Sequence, residues 1–346
     1  MFEFNSKVIP ADNSEKSKIL RKLGDREAHQ LALHTLGGHR NKSITCRYTT
    51  PQSYLSHPNR LIRIVETAII EALLLHPILQ AGIIEANSRS PAWKQLLYLN
   101  LDEHLTWRFL QIPENFDDVS RELTLSEIDS SFPRIEEKPG WRIVVLYQER
   151  VNLLEVHFTW NQAYCDGVSG RIFQEDLCRR LKTAAQQGKI EDNTPTCSLI
   201  PLSSTPNLSP SIEELSQLRE KLPGDGNQDL LLSPGQLRHI WKISACIHGE
   251  IEDAGILDEK LKINSEVSSA KVKLEEENAW ILHRAGFASS AETMGAAFVI
   301  SLMSVKGEGL HVGVSWQNCV CGVGIGERVA ADLKKWLEQI AEEAYP

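Results

Sequence analysis

The stretch VNLLEVHFTWNQAYCDGVSGRIF, residues 151–173, decides how the rest of the chain is read. Its first ten residues alternate strictly. Leu154, Val156, Phe158 and Trp160 share one face, while Glu155, His157 and Thr159 share the other, the period of a β-strand. Asp166-Gly167 then turns the chain, and Ile172, Phe173, Leu177 and Leu181 fall at helical spacing, which predicts a helix ending near Gly188. Just upstream, WRIVVLYQ (141–148) is equally β-rich. The two strands form a hairpin about Glu149 and Arg150, a connection without Asn-Gly turn chemistry. The unit is therefore strand, strand, polar turn, helix. The turn holds Asn161, Gln162, Cys165, Asp166 and Ser169, and no histidine.

Outward from this unit, residues 14–36 read as a helix broken at Leu23-Gly24, and residues 43–50 as a strand. Leu61, Ile64, Val65, Ala68, Ile69, Ala72 and Leu75 mark a helix over 59–76, which Pro77 ends. Residues 94–101 read as a strand. Prolines 195, 201, 206, 210, 223 and 234 give residues 189–235 the character of a crossover, interrupted by one short helix over 211–222. Residues 296–304 and 310–317 form a second hairpin. GVGIG (322–326) reads as a loop before an amphipathic helix over 327–344. The expected organisation is a first lobe at 1–188, the crossover at 189–235 and a second lobe at 236–346.

A net charge of −9 over 346 residues argues against nucleic acid or an anionic membrane as partner. No apolar run is long enough to span a bilayer. The polar start of the chain lacks the core of a secretory signal, so a cytoplasmic location is expected. Seven scattered cysteines then read as reduced thiols. Cys319 and Cys321 form a lone C-x-C with no second pair, so no metal site is expected. GVGIG lacks the strand, spacing and acidic partner of a dinucleotide site.

The turn at 161–170 invites three readings. A nucleophile elbow needs G-x-S-x-G, and Gly167-Val168-Ser169-Gly170 does not supply it. A Cys165 nucleophile has no nearby histidine to lower its pKa. The third reading is a resemblance. NQAYCDGVSGRIFQEDL resembles the H-H-x-x-x-D-G segment of the acyltransferase superfamily that includes chloramphenicol acetyltransferase, plant acyltransferases and peptide-synthetase condensation domains, most of all its fungal alcohol O-acetyltransferase branch. RKLGDREAHQLALHTLG, CRYTT, IIEALLLHPILQAGI, LHVGVSWQ and ERVAADLKKWLEQI resemble other segments of that branch, in the same order. The resemblance implies an α/β fold with a chloramphenicol-acetyltransferase-like mixed sheet flanked by helices. Residues 190–295 are shorter than in the family, which implies a reduced second lobe.

The resemblance also implies roles. Asp166 and Gly167 match the structural aspartate and glycine of the motif, the aspartate pairing with an arginine for which Arg47 and Arg142 are candidates. Asn161 and Gln162 stand where the family has two histidines, the second of which deprotonates the acceptor hydroxyl. An amide exchanges hydrogen bonds but is no base at usable pH, and a general base is worth about 10²–10⁴-fold in rate. Acyl transfer to an alcohol is therefore expected to be weakened or lost. Asn161 and Gln162 are the candidate catalytic residues, and Trp160, Tyr164 and Ser169 the candidates for binding a small-molecule substrate. Acyl-CoA is the possible co-substrate, and no bound cofactor is expected. Two alternatives use the same turn without a base: a cyclase or pericyclase of secondary metabolism, and an inactive ligand-binding relative.

Overall fold

The computed structural model describes residues 18–38, 40–54, 57–111, 114–187, 198–202, 208–211, 213–214, 279–291, 297–305 and 308–344. Strand β1 (Ile19–Lys22) precedes helix α1 (Asp25–Thr35), strand β2 (Asn41–Thr49) and helix α2 (Pro58–Leu74). Short strands β3 (Ala81–Ile84), β4 (Ala92–Gln95) and β5 (Tyr98–Asn100) follow, then β6 (Leu105–Phe109), α3 (Phe116–Asp129), β7 (Trp141–Gln148), β8 (Leu153–Asn161) and α4 (Gly167–Gln187). The last elements are β9 (Leu199–Pro201), β10 (Ile281–Ser289), β11 (Phe298–Ser304), β12 (Leu310–Trp316) and α5 (Val323–Ala344).

Five strands make the main sheet, in the order β10-β2-β8-β7-β6. All neighbours are antiparallel except β6 and β7, which are parallel and joined through α3. The sheet is mixed and flanked by helices, as expected. Register pairs like with like: Ile44 lies opposite Phe158, Cys46 opposite Val156 and Tyr48 opposite Leu154. On β7, Ile143 and Val145 face the same two β8 residues, Phe158 and Val156. This apolar face carries α4, whose Phe173 ring lies 4.2 Å from that of Phe158. The Gln174 Nε2 donates to the Ile44 and Val156 carbonyls, so a buried amide pins the helix to the sheet. The opposite face pairs Arg47 with Glu155, Thr45 with His157 and Ser43 with Thr159. Helix α3 covers that polar face through Ser120 and Thr124.

Several expectations change. Residues 19–22 are not helical: they pair with β4 as an edge strand, and Gly24 with Glu27 starts α1 instead. The long run at 94–101 splits into β4 and β5, which belong to two different sheets. The 141–160 hairpin forms, but its connection is a 3₁₀ turn over Glu149–Val151 closed by Asn152 at φ 55°. Asparagine tolerates this left-handed conformation, which explains a tight turn without glycine. The GVGIG segment is not a loop, because α5 starts at Val323. Gly326 lets the helix approach β12 closely, since a Cβ there would stand 2.0 Å from the Trp316 ring. Most of the expected crossover at 189–235, including nearly all of its short helix, lies outside the described residues. No helix among the described residues is long and apolar enough to cross a membrane.

Gly170 sets how closely α4 rides on the sheet. A Cβ there would lie 2.2 Å from Trp160 Cη2. Trp160 cannot yield easily, because it is fully buried and stacked on Phe158, and its Nε1 donates to the Cys165 carbonyl at 2.8 Å. Overpacking a rigid core typically costs about 1–3 kcal/mol. Gly170→Val is therefore expected to lower the urea unfolding midpoint by a corresponding amount. An unchanged midpoint would show that α4 does not need this approach.

Candidate functional site

The turn that ends β8 is built from the strand outward. The Asn161 N–H donates to the Gly140 carbonyl at 2.8 Å, and its Oδ1 accepts the Ala163 N–H at 2.9 Å. The Tyr164 N–H donates to the Asn161 carbonyl. Asp166 Oδ1 accepts the Ser169 N–H at 2.7 Å while its carbonyl accepts the Gly170 N–H. Asp166 is thus the N-cap of α4, with Gly167 the first helical residue.

Asp166 and Gly167 hold the places expected of them. The arginines proposed to reach Asp166 are engaged elsewhere. Arg47 binds Glu155 at 2.7 Å and Asp117 at 2.8 Å, whereas Arg142 binds Glu127 at 2.9 Å and the Ser130 hydroxyl at 2.7 Å. Both lie on the polar face of the sheet, away from the start of α4. Trp160 and Tyr164 also need correction as substrate-binding residues. Both are core side chains, Trp160 against Gly170 and Phe158, Tyr164 edge-on to Trp93 at 4.9 Å. Burial pushes the Tyr164 phenol well above its ordinary pKa. Ser169 is half-buried and contributes its backbone to the cap.

Asn161 and Gln162 share one feature with the buried Tyr164 hydroxyl, a hidden polar atom without a hydrogen-bond partner among the described residues. Asn161 is fully buried, yet its Nδ2 has no hydrogen-bond partner among the described residues. Gln162 is half-buried, and its Oε1, itself hidden from solvent, also has none. Buried polar atoms are normally satisfied, so a donor on Asn161 and an acceptor on Gln162 stand unused at the two motif positions.

A cleft of about 1620 Å³ opens on the polar face of the sheet. Its walls are α3, β10, β12 and α5, and Thr45 and Glu155 belong to its floor. Asn161 and Gln162 are not among its lining residues. Asn161 nevertheless ends the β8 row formed by Glu155, His157 and Thr159, which lies on the cleft side. Phe287 links the two regions, since it lines the cleft and stands 3.5 Å from where a Cβ at Gly167 would be. His157 is structural: fully buried, with Nε2 2.9 Å from Glu155 and Nδ1 3.3 Å from the Thr124 hydroxyl. His311 and Arg284, which no sequence motif singles out, enter the cleft wall from β12 and β10. Their contact is 2.9 Å, from Arg284 Nη2 to His311 Nδ1. Strand alternation alone could not reveal them, because it does not say which strand of a distant hairpin crosses β10.

Among the described residues Cys46, Cys165, Cys178, Cys319 and Cys321 are outside any disulfide, and no group of acidic, histidine and cysteine residues could hold a metal ion. Burial raises the Cys46 thiol above its ordinary pKa.

Over 194 residues the chain is 25% identical to a probable alcohol acetyltransferase, FCK4, of Fusarium pseudograminearum (strain CS3096). The chain resembles an alcohol acetyltransferase. The match takes in 52% of this chain and 38% of that protein, so it spans well under half of the relative's length. No protein-family model matches. Similar solved structures include the first condensation domain of the calcium-dependent antibiotic synthetase (12% identity, TM-score 0.41, 53% of this chain and 42% of that one). Another is the wax ester synthase/diacylglycerol acyltransferase from Marinobacter aquaeolei VT8 (12% identity, TM-score 0.36, 44% and 36%).

Glu155 gives the site a measurable electrostatic signature. Burial alone would raise its pKa, but the contact with His157, the Arg47 guanidinium and the Ser120 hydroxyl outweigh burial and hold it at about 2, against an ordinary 4.5. A depressed carboxylate stabilises the fold above its unfolded-state pKa and loses that share as pH falls through the folded one. Glu155→Gln is expected to be less stable than wild type at pH 6, leaving Arg47 short of a buried partner. The gap should shrink by about 3 kcal/mol as pH falls from 4.5 toward 2. Denaturant unfolding of both proteins across that range measures it, and a pH-independent gap would show that Glu155 is not held as an anion.

Proposed function

We propose that the protein acts on a small molecule of secondary metabolism with an acyltransferase-type scaffold, and that base-assisted acyl transfer to an alcohol is weakened or lost. The observation that carries this reading is the pair Asn161-Gln162 at the strand-end turn. Two amides, neither able to take a proton from an alcohol, occupy the positions that resemble the family's histidines. Acyl-CoA is the co-substrate this reading would require for any residual transfer. His157 does not substitute as a base, because it is sealed between Glu155 and Thr124.

A second reading is favoured by the unsatisfied atoms. Asn161 Nδ2 and Gln162 Oε1 present a donor and an acceptor with no protein partner among the described residues. That equipment suits hydrogen bonding to a substrate whose rearrangement needs positioning and charge stabilisation instead of proton abstraction, as in a cyclase. Positioning alone can supply several kcal/mol of a barrier.

The test is release of free CoA thiol from acetyl-CoA in the presence of a panel of primary and secondary alcohols. Wild-type protein is expected to stay at background. Gln162→His restores a titratable group at the motif position, and a gain of even slow alcohol-dependent release would support the first reading. A folded Gln162→His protein that stays silent would favour the second. Turnover by wild-type protein at ordinary enzymatic rates, with kcat of about 1 s⁻¹ or more, would overturn both.

A further inference from the structure

We propose that the cleft between α3, β10, β12 and α5 is a binding site for an uncharged, largely apolar molecule bearing a carbonyl oxygen, and that His311 recognises that oxygen through its Nε2–H. The inference concerns a region that the motif turn does not line, and it stands or falls separately from the reading of Gln162.

Three observations support it. The first is the orientation of His311. Arg284 Nη2 lies 2.9 Å from its Nδ1. A guanidinium only donates, so Nδ1 must be the accepting nitrogen. The neutral ring then carries its proton on Nε2. Burial, with the nearby Arg284 charge, lowers the His311 pKa and favours that neutral form. Arg284 is itself held by Asp117 at 3.1 Å, and Asp117 also binds Arg47 at 2.8 Å. The tautomer of His311 is thereby tied to the charged network of the sheet. An imidazole held this way donates from Nε2 and is a poor base, because its lone pair is occupied.

The second observation is how closely His311 and Thr45 sit against Gly286. A Cβ at Gly286 would stand 3.0 Å from His311 Nε2 and 2.8 Å from Thr45 Oγ1. Only glycine lets the imidazole and the Thr45 hydroxyl pack this close to the β10 backbone at the cleft wall. Nε2 has no hydrogen-bond partner among the described residues. Among the described residues, the Thr45 hydroxyl makes a long hydrogen bond, 3.5 Å to the Gly286 carbonyl.

The third is the charge and polarity of the walls. Ile128, Val314, Trp316, Leu333 and Leu337 supply apolar surface. Carboxylates outnumber cationic groups along the lining, and Glu155 at the floor is held as an anion. An anionic ligand gains nothing from this excess of carboxylates, while an uncharged acceptor can take the one N–H that the Arg284 contact leaves on the imidazole. The volume of about 1620 Å³ exceeds what a drug-sized molecule fills, so a bulky polycyclic or long-chain ketone fits.

The test uses the whole chain and a defined probe, 6-acetyl-2-dimethylaminonaphthalene. This uncharged ketone shifts its emission to the red when its carbonyl accepts a hydrogen bond. Its anionic counterpart, 6-dimethylamino-2-naphthoate, is the comparison. Saturable binding of the ketone is expected, tighter than that of the carboxylate. His311→Phe keeps a ring and removes the donor, and is expected to weaken ketone binding about tenfold and shift the bound emission to the blue. Gly286→Ala pushes the imidazole and the Thr45 hydroxyl out of place while leaving both groups chemically intact, and is expected to weaken binding at least as much. Should His311→Phe fail to fold, Gly286→Ala and Leu333→Trp, which narrows the cleft from α5, decide the matter. The proposal is overturned if the ketone does not bind, if the folded variants bind it as wild type does, or if the carboxylate binds more tightly.

Discussion

Strand β8 is buried on both faces, and that constraint organises the molecule. One face is apolar and simply needs cover, which α4 provides. The other carries Glu155, His157, Thr159 and Asn161, all buried. Removing a carboxylate and an imidazole from water is costly unless each finds partners. Arg47 on β2, Ser120 and Thr124 on α3 and Ser43 on β2 are those partners. Helix α3 is therefore placed by hydrogen bonds as much as by Phe116, Val119 and Leu123, which pack beneath it. Its position in turn defines one wall of the cleft. The same charges extend outward through Asp117 and Arg284 to His311, so the second hairpin is oriented by a network that begins in the middle of the sheet.

That network has an energetic limit. A buried ion pair replaced whole by apolar residues is often neutral in stability, whereas removal of one member leaves a stranded charge. Arg47 Nη2 already lacks a partner among the described residues, so the network is not an optimised stabilising device. Its clearer contribution is geometric. It fixes which nitrogen of His311 carries a proton and which strand face β10 presents to the cleft. Specificity of arrangement, not strength, is what the buried charges supply.

Much of this was legible in the sequence where pattern and burial coincide. The 141–160 hairpin and helix α2 are long periodic segments, and their core residues fell where periodicity put them except Leu75, which lies just past the end of α2 and is exposed. The alternation along β8 also separated its polar from its apolar face. Strand β1 was not legible, because Ile19–Lys22 has no β pattern of its own and pairs with β4 at a sheet edge, a decision of tertiary contact. The 94–101 run misled because four leucines and Tyr98 read as one strand, while Leu96 and Leu97 carry the chain from one sheet to another. At the strand-end turn, the cap formed by Asp166 could be read from its Asp-Gly pair. His311, Arg284 and Thr45 could not be, since nothing local joins residues so far apart until β10 is laid beside β2.

The resemblance at residues 161–170 then has a physical explanation that is separate from catalysis. Asp166 caps α4, and Gly170 clears the Trp160 ring. Trp160 ties back to the Cys165 carbonyl, and Asn161 Oδ1 holds the backbone of Ala163. Each of these residues is needed for the turn to exist at all. An N-cap is typically worth about 1 kcal/mol and a core tryptophan several, a large share of a protein's net stability. None of these contributions requires a histidine at position 162. Its side chain leaves the strand end half-buried and makes no hydrogen bond from Oε1 within the described residues. Position 162 is therefore free to change chemistry without loosening the scaffold. The shape of the turn and the chemistry offered at position 162 are therefore set by different residues.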